Sequence, residues 1–183
     1  VKEWLERSAT QFNTIDPTST EVQQLISESH PSYNYDVIDG VSYSIDVTQP
    51  SKYGNKGELL NEGASRIVDL SFNGEAIDPV QDFVVVTNNY RAGGGGTFPG
   101  LDGSTIIVEA PQTNRQVLVD YILASGTLDP QADSNWSFAP INGEVEVVFD
   151  TAPTAVDAGN AAKFEYVETL DSGFARYRIP MTQ

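Results

Sequence analysis

Val41-Ser42-Tyr43-Ser44-Ile45-Asp46-Val47-Thr48 alternates without a break: Val41, Tyr43, Ile45 and Val47 fall on one side, Ser42, Ser44, Asp46 and Thr48 on the other. Successive side chains of a strand point to opposite faces, so the stretch predicts a strand with one face buried and one face wet. Downstream, residues 49–63 carry Pro50, Gly54, Gly57 and Gly63 and predict an exposed loop. Residues 66–72 predict a second strand, closed by the hairpin signal Asn73-Gly74. Residues 83–87 are apolar up to Thr87, the pattern of a strand covered on both faces. A short strand is expected over 105–108. The clearest helix covers 113–125: Thr113 and Gln116 match a capping box, Val117, Leu118, Tyr121 and Ile122 form an apolar face, and Gly126 ends it. Beyond it the pattern predicts a loop over 129–140, a strand over 144–149, a short helix over 158–164 and a closing strand over 174–179.

Upstream of the alternating strand, Tyr33 and Tyr35 are expected to cover the sheet from one side, with Asn34 and Asp36 opposite them and Asp39-Gly40 turning the chain. Residues 21–26 read as a short helix capped by Thr20 and stopped by His30-Pro31. The first dozen residues read as a helix with Trp4, Leu5, Ala9 and Phe12 on one face. A helix that opens at Val1 without a cap predicts that this is a piece of a longer chain. Helices and strands mix without strict β-α-β alternation, so the expected class is α+β: a single domain over 1–183 with a mixed β-sheet and packed helices.

The 183 residues suit one domain. Ten Lys plus Arg against 26 Asp plus Glu give a net charge of −16, which excludes a duplex nucleic acid as partner, because a phosphate backbone must be met by clustered cations. No cysteine is present, so thiol chemistry and Cys-held zinc are excluded. No apolar run is long enough to span a bilayer. The lone histidine, His30, is expected on a surface turn; with no second histidine and no Gly-x-Ser-x-Gly elbow, these residues offer no catalytic group and no metal ligands. Asn135-Trp136-Ser137 matches a glycosylation acceptor, a pattern short enough to arise by chance.

One segment stands apart: Asn88-Asn89-Tyr90-Arg91-Ala92-Gly93-Gly94-Gly95-Gly96-Thr97-Phe98. Consecutive glycines let a backbone come close to a ligand, and Gly94 and Gly95 lie at the centre of the run. It is not a phosphate loop, since Gly-x-x-x-x-Gly-Lys-Ser/Thr is absent. Its flanks supply amides at Asn88 and Asn89, a ring at Tyr90, a fixed cation at Arg91 and a second ring at Phe98. The combination suits a flat ligand with polar edges: Tyr90 stacks on a nucleobase, Asn89 addresses its edge or the loop, and Phe98 shapes the loop. Arg91 serves equally as a brace.

Six blocks then occur in a fixed order: Val1-Lys2-Glu3-Trp4-Leu5-Glu6; Gln11-Phe12-Asn13 with Ile15-Asp16-Pro17; residues 33–47 around Tyr35-Asp36-Val37-Ile38-Asp39-Gly40-Val41; Asn88 to Ala92 with the glycines; Asn114-Arg115; and Asn135-Trp136. This succession resembles the C-terminal domain of the 5′-nucleotidase superfamily, most closely its bacterial 2′,3′-cyclic-nucleotide 2′-phosphodiesterase/3′-nucleotidase branch. The resemblance implies a two-domain phosphoric ester hydrolase. Its upstream metallophosphoesterase domain would hold two divalent metal ions and cut the ester, while this domain, inactive by itself, closes over the nucleoside part of a nucleotide. In 5′-nucleotidases the glycine motif runs Asn-Phe-x-x-x-Gly-Gly-Asp-Gly, the Phe stacking on the base and the Asp addressing the ribose. Tyr90 stands at that Phe and Gly96 at that Asp, which counts against the 5′-nucleotidase branch. The family's other stacking aromatic would lie upstream of Val1. An extracytoplasmic location, periplasmic, secreted or wall-attached, goes with the resemblance. A 5′-nucleotidase or UDP-sugar hydrolase specificity domain, a surface binding module without catalysis and a structural domain are the alternatives.

Overall fold

The first turn of chain is set by where its apolar side chains recur. Trp4, Leu5, Ala9 and Phe12 repeat at helical spacing, and in the computed structural model, which describes residues 1–157 and 163–181, all four are buried. Helix α1 (Lys2–Ser8) runs into a 3₁₀ turn at Ala9–Gln11. Glu6 and Arg7 on the same helix are fully buried as well. A buried carboxylate persists only if its lone pairs are filled. Glu6 accepts from Ser65 Oγ at 2.9 Å, Arg66 N at 2.9 Å and Ile67 N at 3.0 Å, which ties α1 to the start of the strand over Ile67–Phe72. Arg66 in turn donates to Ala9 O, Phe12 O, Gln49 O and Thr14 Oγ1, so its guanidinium bridges the first residue of the 3₁₀ turn and the residue that follows it. Burial lowers its pKa to about 10, which leaves it charged at neutral pH.

Two mixed four-stranded sheets sandwich this core. The strands are β1 (Val22–Gln24), β2 (Val41–Ile45), β3 (Ile67–Phe72), β4 (Glu75–Ala76), β5 (Trp136–Phe138), β6 (Glu146–Thr151), β7 (Glu165–Thr169) and β8 (Ala175–Arg178). One sheet has the order β4-β3-β2-β5, with β3 antiparallel and β5 parallel to β2; the other has the order β1-β6-β8-β7. The alternation of 41–48 is realised as expected: Val41, Tyr43, Ile45 and Val47 are all buried. Burial of each contributes roughly 1.5–3 kcal/mol. With Leu5, Phe12, Ile15, Leu25, Ile67, Leu70, Val147 and Met181 they form one continuous core. The Asn73-Gly74 hairpin forms between β3 and β4, and Asp39-Gly40 turns the chain into β2 with Gly40 at φ 87°.

Several expectations are corrected. Residues 21–26 form no helix: Val22–Gln24 is β1, parallel to β6, because Leu25 N and the Gln24 amide find partners at Val148 O and Asp150 that a helix would forgo. Strand β5 interrupts the loop expected over 129–140, held by the Asn135 amide, which donates to Ile38 O and Val41 O and is thereby spent inside the fold. Strand β7 was not anticipated. Residues 83–87 and 105–108 join no sheet, and Val86 is 95% exposed, Val108 79%. The helix over 113–125 does form, as α3 (Asn114–Ser125), with Thr113 Oγ1 accepting from Gln116 N and Gly126 at φ 73°. It is not packed: every residue in it is exposed, since Val117, Leu118, Val119, Tyr121, Ile122 and Leu123 spread round the helix and leave no single stripe to bury. Tyr33 and Tyr35 do not share a face either. A 3₁₀ turn at Ser32–Asn34 breaks the alternation, leaving Tyr33 exposed while Tyr35 packs edge-on to Phe12 and Trp136. The helix expected over 158–164 falls mostly on 158–162, outside the described residues.

Candidate functional site

The glycine-rich segment begins with a single helical turn, α2 (Asn89–Ala92). Asn88 is its cap: Oδ1 accepts from Arg91 N at 2.8 Å, so this oxygen helps hold the loop. Asn89, in the first position, is exposed and its side chain makes no hydrogen bond among the described residues. Arg91 points inward and is 5% exposed. Its guanidinium pairs with Asp36 through Nε at 2.7 Å and Nη2 at 2.8 Å, and its Nη1 donates to Gly95 O at 2.7 Å and Asn34 Oδ1 at 3.2 Å. Its Cζ stands 4.1 Å from the centre of the Phe98 ring. Phe98 is buried against Trp4 at 5.6 Å. Of the two readings of Arg91, the brace is the one the geometry matches, and Phe98 belongs to the interior of the loop.

The glycines have distinct tasks. Gly94 (φ 98°) turns the chain so tightly that a Cβ would lie 2.9 Å from Leu101 O. At Gly95, which has no left-handed φ, a Cβ would lie about 2.5 Å from three carbons of the Tyr90 ring. The missing side chain is therefore the seat of that ring. At Gly96 (φ 82°) a Cβ would run into Arg91 Nη1 and Asn34 Oδ1, so the space a side chain would use is filled by the brace. Thr97, a β-branched residue, follows at φ 56°, a strained conformation held by the surrounding contacts and by Thr97 Oγ1 donating to Gly96 O at 2.7 Å.

Tyr90 itself is 59% exposed. One side of the ring is backed by Gly95 and the Arg91 guanidinium lies 5.8 Å from its centre, which leaves the rest of the phenol open to solvent. A planar ligand can cover it without displacing any protein group. Beside the loop lies a cavity of about 680 Å³, reached by Asn88 and Arg91 and walled by Trp4, Asp36, Asp39 and the stretch 83–87; Tyr90 is not in its wall.

Two supports were not foreseen. Asp36 is the hub: besides Arg91 it accepts from Trp4 Nε1 at 2.9 Å, while its backbone N and O both engage Ser8 Oγ at 2.6 Å. Thus α1 holds the loop through one carboxylate. The Tyr35-Asp36 block marked the place but nothing local to it indicated a partner 55 residues away. Arg7 donates from Nη2 to Gly96 O at 3.2 Å and to Asn55 O at 3.0 Å, and burial lowers its pKa. His30, expected on the surface, is buried instead, with Nδ1 3.3 Å from Asn55 Oδ1; burial lowers its pKa, with the nearby Arg7 adding to the effect. Its neighbour Pro31 shapes the backbone and says nothing of where the imidazole goes.

Against known proteins, residues 1–103 match the family described as 5′-nucleotidase, C-terminal domain. Over 181 residues the chain is 47% identical to the trifunctional nucleotide phosphoesterase protein YfkN of Bacillus subtilis strain 168, covering 98% of this chain and 12% of that protein. It is 42% identical to the 2′,3′-cyclic-nucleotide 2′-phosphodiesterase/3′-nucleotidase of Haemophilus influenzae, covering 100% of this chain and 30% of that protein. A weaker likeness, 32% over 90 residues, covers 46% of this chain and 16% of the protein UshA of Escherichia coli K12. The chain thus spans less than a third of the relatives it matches. No solved structure matches it.

Proposed function

Because the chain belongs to the 5′-nucleotidase C-terminal domain family, we propose that it is the nucleoside-binding specificity domain of a 2′,3′-cyclic-nucleotide 2′-phosphodiesterase/3′-nucleotidase. The observation that carries this reading is the open phenol of Tyr90, seated on Gly95 and backed by a buried guanidinium. A base stacked there gains roughly 1–3 kcal/mol, and Asn89 is free to address its edge. That binding energy, remote from the reacting bond, sets where the phosphoester lies. Hydrolysis is assigned to two divalent metal ions in an upstream domain, and no residue of this chain is given a part in holding them; among the described residues no three His, Asp or Glu side chains gather into a metal site. The cyclic-nucleotide branch is favoured over a 5′-nucleotidase because the likeness to the former covers the whole chain and that to UshA less than half, and because the resemblance sets Gly96, not an Asp, at the ribose-binding position of the 5′-nucleotidase motif. An extracytoplasmic location forms part of the proposal; among the described residues no helix is long and apolar enough to cross a membrane.

The test is kinetic. In the whole enzyme, Tyr90→Ala is expected to raise KM for 3′-AMP and 2′,3′-cyclic AMP, and turnover of 3′-AMP is expected to exceed that of 5′-AMP. An unchanged kcat/KM in the variant removes the stacking role; a preference for 5′-AMP moves the domain to the other branch.

A further inference from the structure

At the seam between the two sheets, away from the glycine loop, lies a groove of about 430 Å³ between β5 and β6. One wall is a closed ring of four aromatics meeting edge to face: Phe12 with Tyr35 (5.4 Å), Tyr35 with Trp136 (5.8 Å), Trp136 with Phe138 (5.6 Å) and Phe138 with Phe12 (5.0 Å). The groove is also lined by Gln11, from the end of the first 3₁₀ turn. Gln11 is 4% exposed, and neither its Nε2 nor its Oε1 has a hydrogen-bonding partner among the described residues; the Tyr35 hydroxyl is also buried without one. A buried amide with both ends unpaired is costly to the fold unless something else meets them. No cation lines the groove, and its one carboxylate, Asp150, is already engaged by Arg176 at 2.9 Å and by the Gln24 amide at 2.8 Å.

We propose that this groove is a second binding site, distinct from the Tyr90 loop, for a neutral planar nitrogen heterocycle that carries a hydrogen-bond donor next to an acceptor. The aromatic wall supplies the faces, and Gln11 pairs with the adjacent donor and acceptor through Oε1 and Nε2, the geometry by which a carboxamide reads one edge of a lactam ring. The absence of a lining cation, in a chain of net charge −16, disfavours a phosphate-bearing ligand, so the free base or nucleoside is the class that fits.

Uracil and 1,3-dimethyluracil separate shape from hydrogen bonding, since the second keeps the ring and lacks the N–H donors. In a titration of the ¹⁵N-labelled chain, uracil is expected to move the Gln11 side-chain amide and the Trp136 indole resonances, leave the Trp4 indole in place, and bind at least tenfold more tightly than dimethyluracil. Gln11→Leu is expected to abolish that preference, and Thr151→Phe, which fills the groove from β6, to abolish binding, each read beside a melting curve. Tyr90→Ala is expected to leave uracil binding at the groove unchanged, so loss of the loop reading and loss of this one give different results. The proposal is overturned if uracil moves neither Gln11 nor Trp136, if both compounds bind equally, or if Tyr90→Ala removes the binding.

Discussion

Gly95→Ala separates the task of the tyrosine from the stability of the loop. Gly95 has an ordinary φ, so alanine fits the backbone there, and the loss of unfolded-chain entropy is expected to leave the melting temperature the same or slightly higher. Yet the new methyl would stand about 2.5 Å from ring carbons of Tyr90, closer than any real contact. The ring, being a largely exposed side chain, swings off its seat. If it had held a base by roughly 1–3 kcal/mol, kcat/KM for 3′-AMP falls by roughly 5- to 150-fold, tenfold for each 1.4 kcal/mol. Gly96→Ala is the counterpart. Its φ of 82° and the Arg91 guanidinium beneath it make alanine strained and obstructed at once, at a cost of about 2 kcal/mol, which lowers Tm by about 4–8 °C in a chain of this size. Steady-state kinetics of the whole enzyme and thermal melts of both variants form the assay. A Gly95→Ala enzyme with kcat/KM within twofold of the parent, at unchanged Tm, would refute the seat-and-ring argument.

Removing the brace is expected to act on the fold rather than on the ligand directly: Arg91→Met leaves Asp36 half buried without its cation and lowers unfolding free energy by about 3 kcal/mol, with Arg91→Lys recovering only part because one ammonium cannot reproduce the fork; urea titration reads both. Glu6→Ala strips the acceptor from Ser65 Oγ, Arg66 N and Ile67 N; Ser65 Oγ keeps Ile67 O at 3.2 Å, and with the two backbone donors orphaned the expected loss is about 2–3 kcal/mol or more in the same titration. His30 gives a pH signature. Burial lowers its folded pKa below 6.5, so the unfolded chain takes up the proton first; the stability due to the neutral imidazole is present above pH 6.5 and is lost as pH falls through that value toward the folded pKa. The urea midpoint is therefore expected to drop between pH 7.5 and 5.5, and to drop less in His30→Gln.

What could be read in advance was what neighbours in sequence determine. The alternation of 41–48, the Asn73-Gly74 hairpin and the Thr113 cap each depend on residues within a turn of one another, and each is present. Three-residue β1 and β5 escaped because their identity comes from partners far along the chain, Val22 opposite Glu146 and Tyr43 opposite Trp136. The run 83–87 shows the converse error: continuous apolarity announces a strand only where a neighbour offers backbone groups to pair with, and here Val84 and Val86 face solvent. At the site, residue types marked the loop but not the direction of each side chain. Arg91 and Tyr90 are adjacent and equally prominent in sequence, yet one is drawn under the glycines by Asp36 and the other is left on top. Only the position of Asp36, fixed by Trp4 and Ser8, distinguishes them.

The sheet that joins β1 to β6 also constrains how the protein can be made. Val22 is synthesised well before Glu146 and must wait for it, and β8 completes the hydrogen bonding of β6 later still. Closing so long a span costs entropy before any pairing rewards it, which makes this a slow step. Trimming residues 172–181 would remove β8 and cut β6 off from β7, converting a small deletion into loss of half a sheet and leaving β6 paired to β1 alone.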